Sequence, residues 1–235
     1  MPRPLLTAAA LLAAALALAA PAQAQSFCSS DGQLRPMALL ERFINADCDS
    51  CWADAKTPLP SEREVALDWI VPGSKGEDAP LSAAASRDGL ARLQALGRPA
   101  PTDADSLQSR LHAAARTLRV AHGLPFNNYL GTSIELRPAG RGPWTAWLVL
   151  VETVPAGTDG TPVERNLVRN MLNPAWSGRS SLSKDERKRL LESRPMSIPE
   201  GADPQRLRLV GWVQDARGDI RAIAQSRCAP PAAKP

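Results

Sequence analysis

Four cysteines constrain this chain more than any other feature: Cys28, Cys48, Cys51 and Cys228. Cys48 and Cys51 form a C-x-x-C pair, and the other two lie near the ends of the sequence. How they are read depends on the compartment. A short basic region with Arg3 leads into an Ala/Leu stretch from Leu5 to Ala20, then Pro21-Ala22-Gln23-Ala24, the small-x-small pattern of a secretory signal cleaved after Ala24. The apolar stretch is shorter than a spanning helix requires and no second one follows, so no transmembrane segment is expected. Cys28 has no lipobox-like context, which speaks against a lipid anchor. The expected location is the periplasm or outside the cell, where an even number of cysteines implies disulfides.

Domain termini often approach one another in space, so a structural bridge from Cys28 to Cys228 is expected. It closes a loop of about 200 residues, which chain entropy credits with roughly 5 kcal/mol as an upper estimate. The competing arrangement pairs Cys28 with Cys48 or Cys51 and leaves no redox pair.

The hydrophobic pattern divides the chain in two. Met37 to Asn45 (MALLERFIN) reads as a buried strand feeding the C-x-x-C, followed by a short helix from Trp52 to Lys56 that Pro58 and Pro60 stop. Val65 to Val71 reads as a second strand, and helices are expected over Leu81 to Leu96 and Asp105 to Ala121. Strand, C-x-x-C, helix, strand, helix is a thioredoxin-like order, assigned to residues 25–125. From Thr132 the period becomes two. Strands are expected around Ile134 and Leu136, over Trp144 to Val154, Val163 to Met171 and Met196 to Ile198, and in a hairpin of Arg206 to Gln214 with Asp219 to Gln225. Lys184 to Glu192 reads as a capped surface helix. The expected class is α+β: a truncated thioredoxin-like α/β domain, then a small antiparallel β-sandwich over 126–228, with a disordered tail over 229–235.

Four segments carry a family resemblance: ALLERFINADCDSC (Ala38 to Cys51), DAPLS (Asp78 to Ser82), ERNLVRNMLNPAW (Glu164 to Trp176) and GWVQDARGDIRAIAQ (Gly211 to Gln225). Together they resemble exported bacterial thioredoxin-like proteins of unknown function, in which a C-x-x-C domain precedes a β-sandwich. Such enzymes generally carry a cis-proline facing the C-x-x-C at the start of the third strand. Here RPAPTDA (Arg98 to Ala104) occupies that stretch, and Pro125 in GLPFN is the candidate substitute binding residue. A truncated domain of this kind could bind or scaffold without turning over.

In a working C-x-x-C, Cys48 at the helix start is the exposed nucleophile, its thiolate favoured by the helix dipole, and Cys51 resolves the mixed disulfide. Asp47 and Asp49 flank Cys48 and disfavour its thiolate, so a stable disulfide and a weak oxidant are expected. Trp52 would form a hydrophobic lip beside the pair. Two classes remain. One is a thiol-disulfide oxidoreductase with catalytic Cys48 and Cys51, acting on periplasmic proteins that carry thiols or disulfides. The other is a non-enzymatic binding or scaffold module with structural disulfides.

Other chemistries find little support. A net charge of +4, from 28 basic and 24 acidic residues scattered along the chain, gives no nucleic-acid footprint. No cofactor motif is present. No metal site is expected, because His112 and His122 match no finger spacing with the C-x-x-C and read as residues in or at the end of a helix. Ser180-Ser181 lacks the G-x-S-x-G elbow of serine hydrolases. Trp144, Trp147 and Trp212 read as core, and Lys184 to Arg194 as a solvated helix face.

Overall fold

The computed structural model describes residues 28–112, 116–174, 176 and 183–228. The signal segment to Ala24, the tail over 229–235 and Ser180-Ser181 lie outside the described residues. Among those described, the elements are β1 (Cys28–Ser29), β2 (Ala38–Asn45), α1 (Asp49–Trp52), β3 (Glu64–Val71), α2 (Arg87–Ala95), β4 (Ala104–Arg110), β5 (Thr117–His122) and β6 (Tyr129–Arg137). They continue with β7 (Thr145–Val154), β8 (Arg165–Leu172), α3 (Lys184–Lys188), β9 (Leu190–Ser197), β10 (Leu207–Gln214), β11 (Ile220–Gln225) and β12 (Arg227–Cys228). The molecule is mostly β with few helices, built on two sheets. One has the order β12-β1-β5-β6-β9 and the other β11-β10-β7-β8-β3-β2-β4.

The larger sheet is mixed. β2 and β3 are parallel, joined by the crossover that carries the C-x-x-C, and β3 also meets β8 in parallel at Asp68 and Leu167. β4 lies antiparallel on the outer side of β2. Burial on both faces explains the nearly continuous apolar runs of β2, β3 and β7. On one face Leu39, Phe43, Leu67, Trp69, Trp147, Val149, Val210 and Trp212 pack together with Leu93 of α2. On the other, Ala146, Leu148, Leu150, Leu209 and Val213 meet Leu118, Val120, Ile134 and Leu136 of the smaller sheet. Towards the β2–β3 end that second face is covered instead by the C-x-x-C segment, where Ile44, Ala46, Trp52, Ile70, Val154 and Leu167 form a separate cluster.

The Cys28–Cys228 bridge is formed, with Cα atoms 3.9 Å apart, and Cys48 is bridged to Cys51. The strands expected before and after the C-x-x-C and the closing hairpin are present. The helix expected over Asp105 to Ala121 is not: β4 and β5 occupy its described part. β4 lies at the edge of the larger sheet and alternates exposed with half-buried positions. Its order comes from main-chain pairing with β2, which apolar spacing does not report. The first expected helix contracts to Arg87–Ala95, capped by Ser86, whose Oγ accepts the Asp88 N–H at 3.2 Å. The helix near Lys184 stops at Lys188, and β9 pairs with β6 from Leu190 onward. The expected boundary between 125 and 126 falls in the β5–β6 turn, and both sheets take strands from either side of it.

Gly211 on β10 lies tightly against the smaller sheet. A Cβ there would stand 2.7 Å from Val120 Cγ1 and 3.2 Å from Ile134 Cδ1. Gly211→Ala is therefore expected to destabilise the fold by about 1–3 kcal/mol through overpacking. Denaturant unfolding measures this, and an unchanged midpoint would contradict the packing described.

Candidate functional site

β2 ends at Asn45 because local hydrogen bonds replace the ladder. Asn45 Oδ1 accepts the Asp47 N–H at 2.9 Å, and the Cys48 N–H donates to the Asn45 carbonyl at 3.0 Å. The Asn45 backbone N–H donates to Asp103 O at 2.8 Å and its side-chain amide to Pro101 O at 3.0 Å, which ties the turn to the approach to β4. Asp47 then turns aside. Its carboxylate accepts from the Ser74 N–H at 2.7 Å, the Ser74 hydroxyl at 2.8 Å and the Lys75 N–H at 3.2 Å. Desolvation pushes its pKa up, but the hydrogen bonds from Ser74 and Lys75 prevail and hold it below the ordinary carboxylate value. Gly73 makes this clamp possible, since a Cβ there would overlap the Asp47 carboxylate and Asn45 Oδ1.

Cys48 caps the single turn of α1 and Cys51 lies within it, their Cα atoms 5.3 Å apart across the disulfide. Both residues are partly exposed. Cys48 Sγ lies 3.5 Å from Ser50 Oγ, whereas Cys51 leans on the cluster around Ile44 and Trp52. Trp52 is only 7% exposed, with its Nε1–H donating to Asp159 O at 2.7 Å. The Arg165 guanidinium sits 5.1 Å from its ring centre. Trp52, expected as a hydrophobic lip beside the pair, packs in the same apolar cluster as Cys51, its indole held by a carbonyl acceptor and a cation inside the protein.

Behind the disulfide lies a buried charge cluster. Asp68 of β3 accepts from Arg42 of β2 at 2.5 Å, from Arg165 of β8 at 3.2 Å and from the Asn166 N–H at 2.7 Å. Arg165 also donates to the carbonyls of Cys51 at 3.1 Å and Trp52 at 2.7 Å and to Thr57 Oγ1 at 2.9 Å, so one guanidinium fixes the end of α1. Burial pulls the Arg165 pKa down and the Asp68 carboxylate opposes that pull. A cleft of about 270 Å³ opens beside the cluster, with Cys51, Arg42, Arg165, Thr57 and Asp105 among its walls.

Sequence reading missed Asp103. One of its carboxylate oxygens lies within 4.8 Å of both sulfurs. The negative charge expected from Asp47 is spent on the loop at Ser74, and Asp103 supplies charge at the pair instead. The signal was the RPAPTDA segment: its last residues enter an edge strand antiparallel to β2, so they arrive beside the turn that leaves β2. Pro125 is not preceded by a cis peptide bond. It is exposed between β5 and β6, and among the described residues the cis peptide bonds precede Pro138 and Pro143. His112 is exposed after β4, while His122 is buried at the end of β5 beside Cys28, neither in a helix. With Cys48 and Cys51 joined, Asp103 is the only anionic donor of that trio, and the oxidised pair offers no thiolate to a metal.

No protein-family model, curated protein or solved structure matches this chain.

Asp68→Ala is expected to leave two guanidiniums buried without their carboxylate, at a cost of about 3–5 kcal/mol. Chemical denaturation of the variant measures this, and wild-type stability would show that the cluster does not hold the region together.

Proposed function

We propose that the protein is an exported thiol-disulfide oxidoreductase that works through Cys48 and Cys51. The observation that carries the reading is a partly exposed disulfide at the end of a buried strand, opening onto a cleft that reaches Cys51. The parallel β2–β3 crossover bearing the C-x-x-C, with β4 antiparallel beside β2, supports a thioredoxin-like reading of this part of the chain.

The reaction follows from the two sulfurs. A substrate thiolate attacks Cys48 Sγ, the Cys48–Cys51 bond breaks, and Cys51 leaves as thiolate. A second substrate thiolate attacks the substrate sulfur of the mixed disulfide and expels Cys48. The substrate loses two electrons, the pair gains them, and the protons pass to solvent or to the released thiolates. Arg165 holds the Cys51 carbonyl throughout, which fixes the leaving sulfur against its cluster. Asp103 opposes both thiolates by like charge, so the pair favours the disulfide and oxidises weakly.

Cys51→Ser frees Cys48 to trap partners. The variant is expected to accumulate mixed disulfides with periplasmic proteins, visible on non-reducing gels, and a variant that traps nothing would count against the reading. If the Cys48→Ser, Cys51→Ser double variant instead keeps full biological function, the protein is a binding module. Asp103→Asn should lower the thiol pKa of the reduced pair, because it removes a like charge beside the thiolates. Because stabilised thiolate favours the reduced form, the variant should also be the stronger oxidant. Thiol titration and redox equilibration with glutathione test both signs.

A further inference from the structure

Three strands of the smaller sheet bring a second set of sulfur and nitrogen donors together. In the smaller sheet β1 lies between β12 and β5, and Cys28 is directly opposite both Cys228 and His122. Residues directly opposite one another across a sheet project from the same face. The two sulfurs and a ring nitrogen of His122 accordingly lie within 4.8 Å of one another. Cys28 is 1% exposed and His122 4%. The imidazole is oriented by its neighbour: Nδ1 lies 2.9 Å from the Gly123 carbonyl, which requires the proton on Nδ1 and leaves the lone pair on Nε2. Nε2 is buried with no hydrogen-bond partner. A buried imidazole that packs beside two sulfurs and keeps one ring nitrogen, Nε2, without a partner is a ligand arrangement that core packing does not require.

We propose that, once the Cys28–Cys228 bridge is reduced, the two thiolates and His122 Nε2 hold one Cu(I) ion. Reduction takes two electrons and two protons from a dithiol donor, which becomes a disulfide, and yields the Cys28 and Cys228 thiols. Cu(I) then displaces the two thiol protons, forming two Cu–S bonds and one Cu–N bond. Two of the three donors are soft thiolates, which favour copper(I), and imidazole also suits copper. The three complete its trigonal coordination, whereas zinc calls for a fourth, and no further His, Cys, Asp or Glu joins the group among the described residues. Main-chain bonds hold the strands once the covalent link opens. Ser30 donates to the Val120 carbonyl at 2.9 Å and Ser226 to the Leu209 carbonyl at 2.8 Å, immediately inside the two cysteines. The site is independent of the redox chemistry proposed for Cys48 and Cys51.

The test uses the full chain with Cys48→Ser and Cys51→Ser, so that the other pair contributes no thiolate. The protein is reduced with a phosphine under anaerobic conditions and titrated with Cu(I) against a competing chelator. The expected result is one copper per chain, a copper X-ray absorption shell of two sulfurs and one nitrogen, and at least about tenfold weaker binding after His122→Ala. No binding by the reduced chain, or undiminished binding by a folded His122→Ala variant, overturns the proposal. Should that variant fail to fold, the absorption shell decides alone, and sulfur without nitrogen overturns it. Adding Cys28→Ser and Cys228→Ser must abolish binding altogether; copper retained there refutes the site.

Discussion

The Asp68 carboxylate, fully buried between Arg42 and Arg165, is the interaction on which the rest of the architecture depends. Two guanidiniums share one carboxylate, so the cluster carries an excess positive charge in the interior. Such a charge is tolerated only where dipoles complete its solvation. Here the carbonyls of Pro58 and Glu164 accept from Arg42, and those of Cys51 and Trp52 accept from Arg165. These acceptors lie in the segment after the C-x-x-C and in the approach to β8. The conformation of the disulfide segment is therefore part of the charge balance of the core, and fold and site share one network.

β2 shows how closely the two faces of the larger sheet are matched. Its adjacent charged residues, Glu41 and Arg42, point in opposite directions because successive side chains alternate. Arg42 meets Asp68. Glu41 receives two hydrogen bonds from Arg92 of α2, at 2.8 and 2.7 Å. Arg92 in turn lies 4.8 Å from the Trp147 ring and 5.0 Å from that of Trp212, which stack on each other. A helix of nine residues is thereby fixed to the sheet by a paired cation that also uses aromatic faces.

Much of the larger sheet was legible. β2, β3, β7 and β8 are apolar runs bounded by turn residues, and the β10–β11 hairpin follows its tip at Gly218. β5 carried a readable alternation of Leu118, Val120 and His122, masked because Leu107, Leu111 and Leu118 also suit a helix. β4 was illegible, since an edge strand needs no apolar face. Of the site, the C-x-x-C was plain, and the terminal bridge was the expected pairing beside an alternative that the structure does not adopt. The lone Asp68 within VALDWIV and the adjacent Glu41-Arg42 within MALLERFIN were signals of buried pairing, because a charge in a doubly covered strand demands a partner. Which residue answers it depends on parallel register with β8, nearly a hundred positions away, and no local pattern records that.

The interleaving of the two sheets bears on how the chain reaches its native state. β3 stands beside β8 and β1 beside β12, so neither sheet is complete until the last strands exist. A chain emerging from its N-terminus cannot finish one half and then the other. Its early strands must wait, unpaired at one edge, for partners made much later, and such non-local pairing slows folding. Both sheets can therefore close only after β8 and β12 have been made, and the Cys28–Cys228 bridge then fastens the first strand of the smaller sheet to its edge.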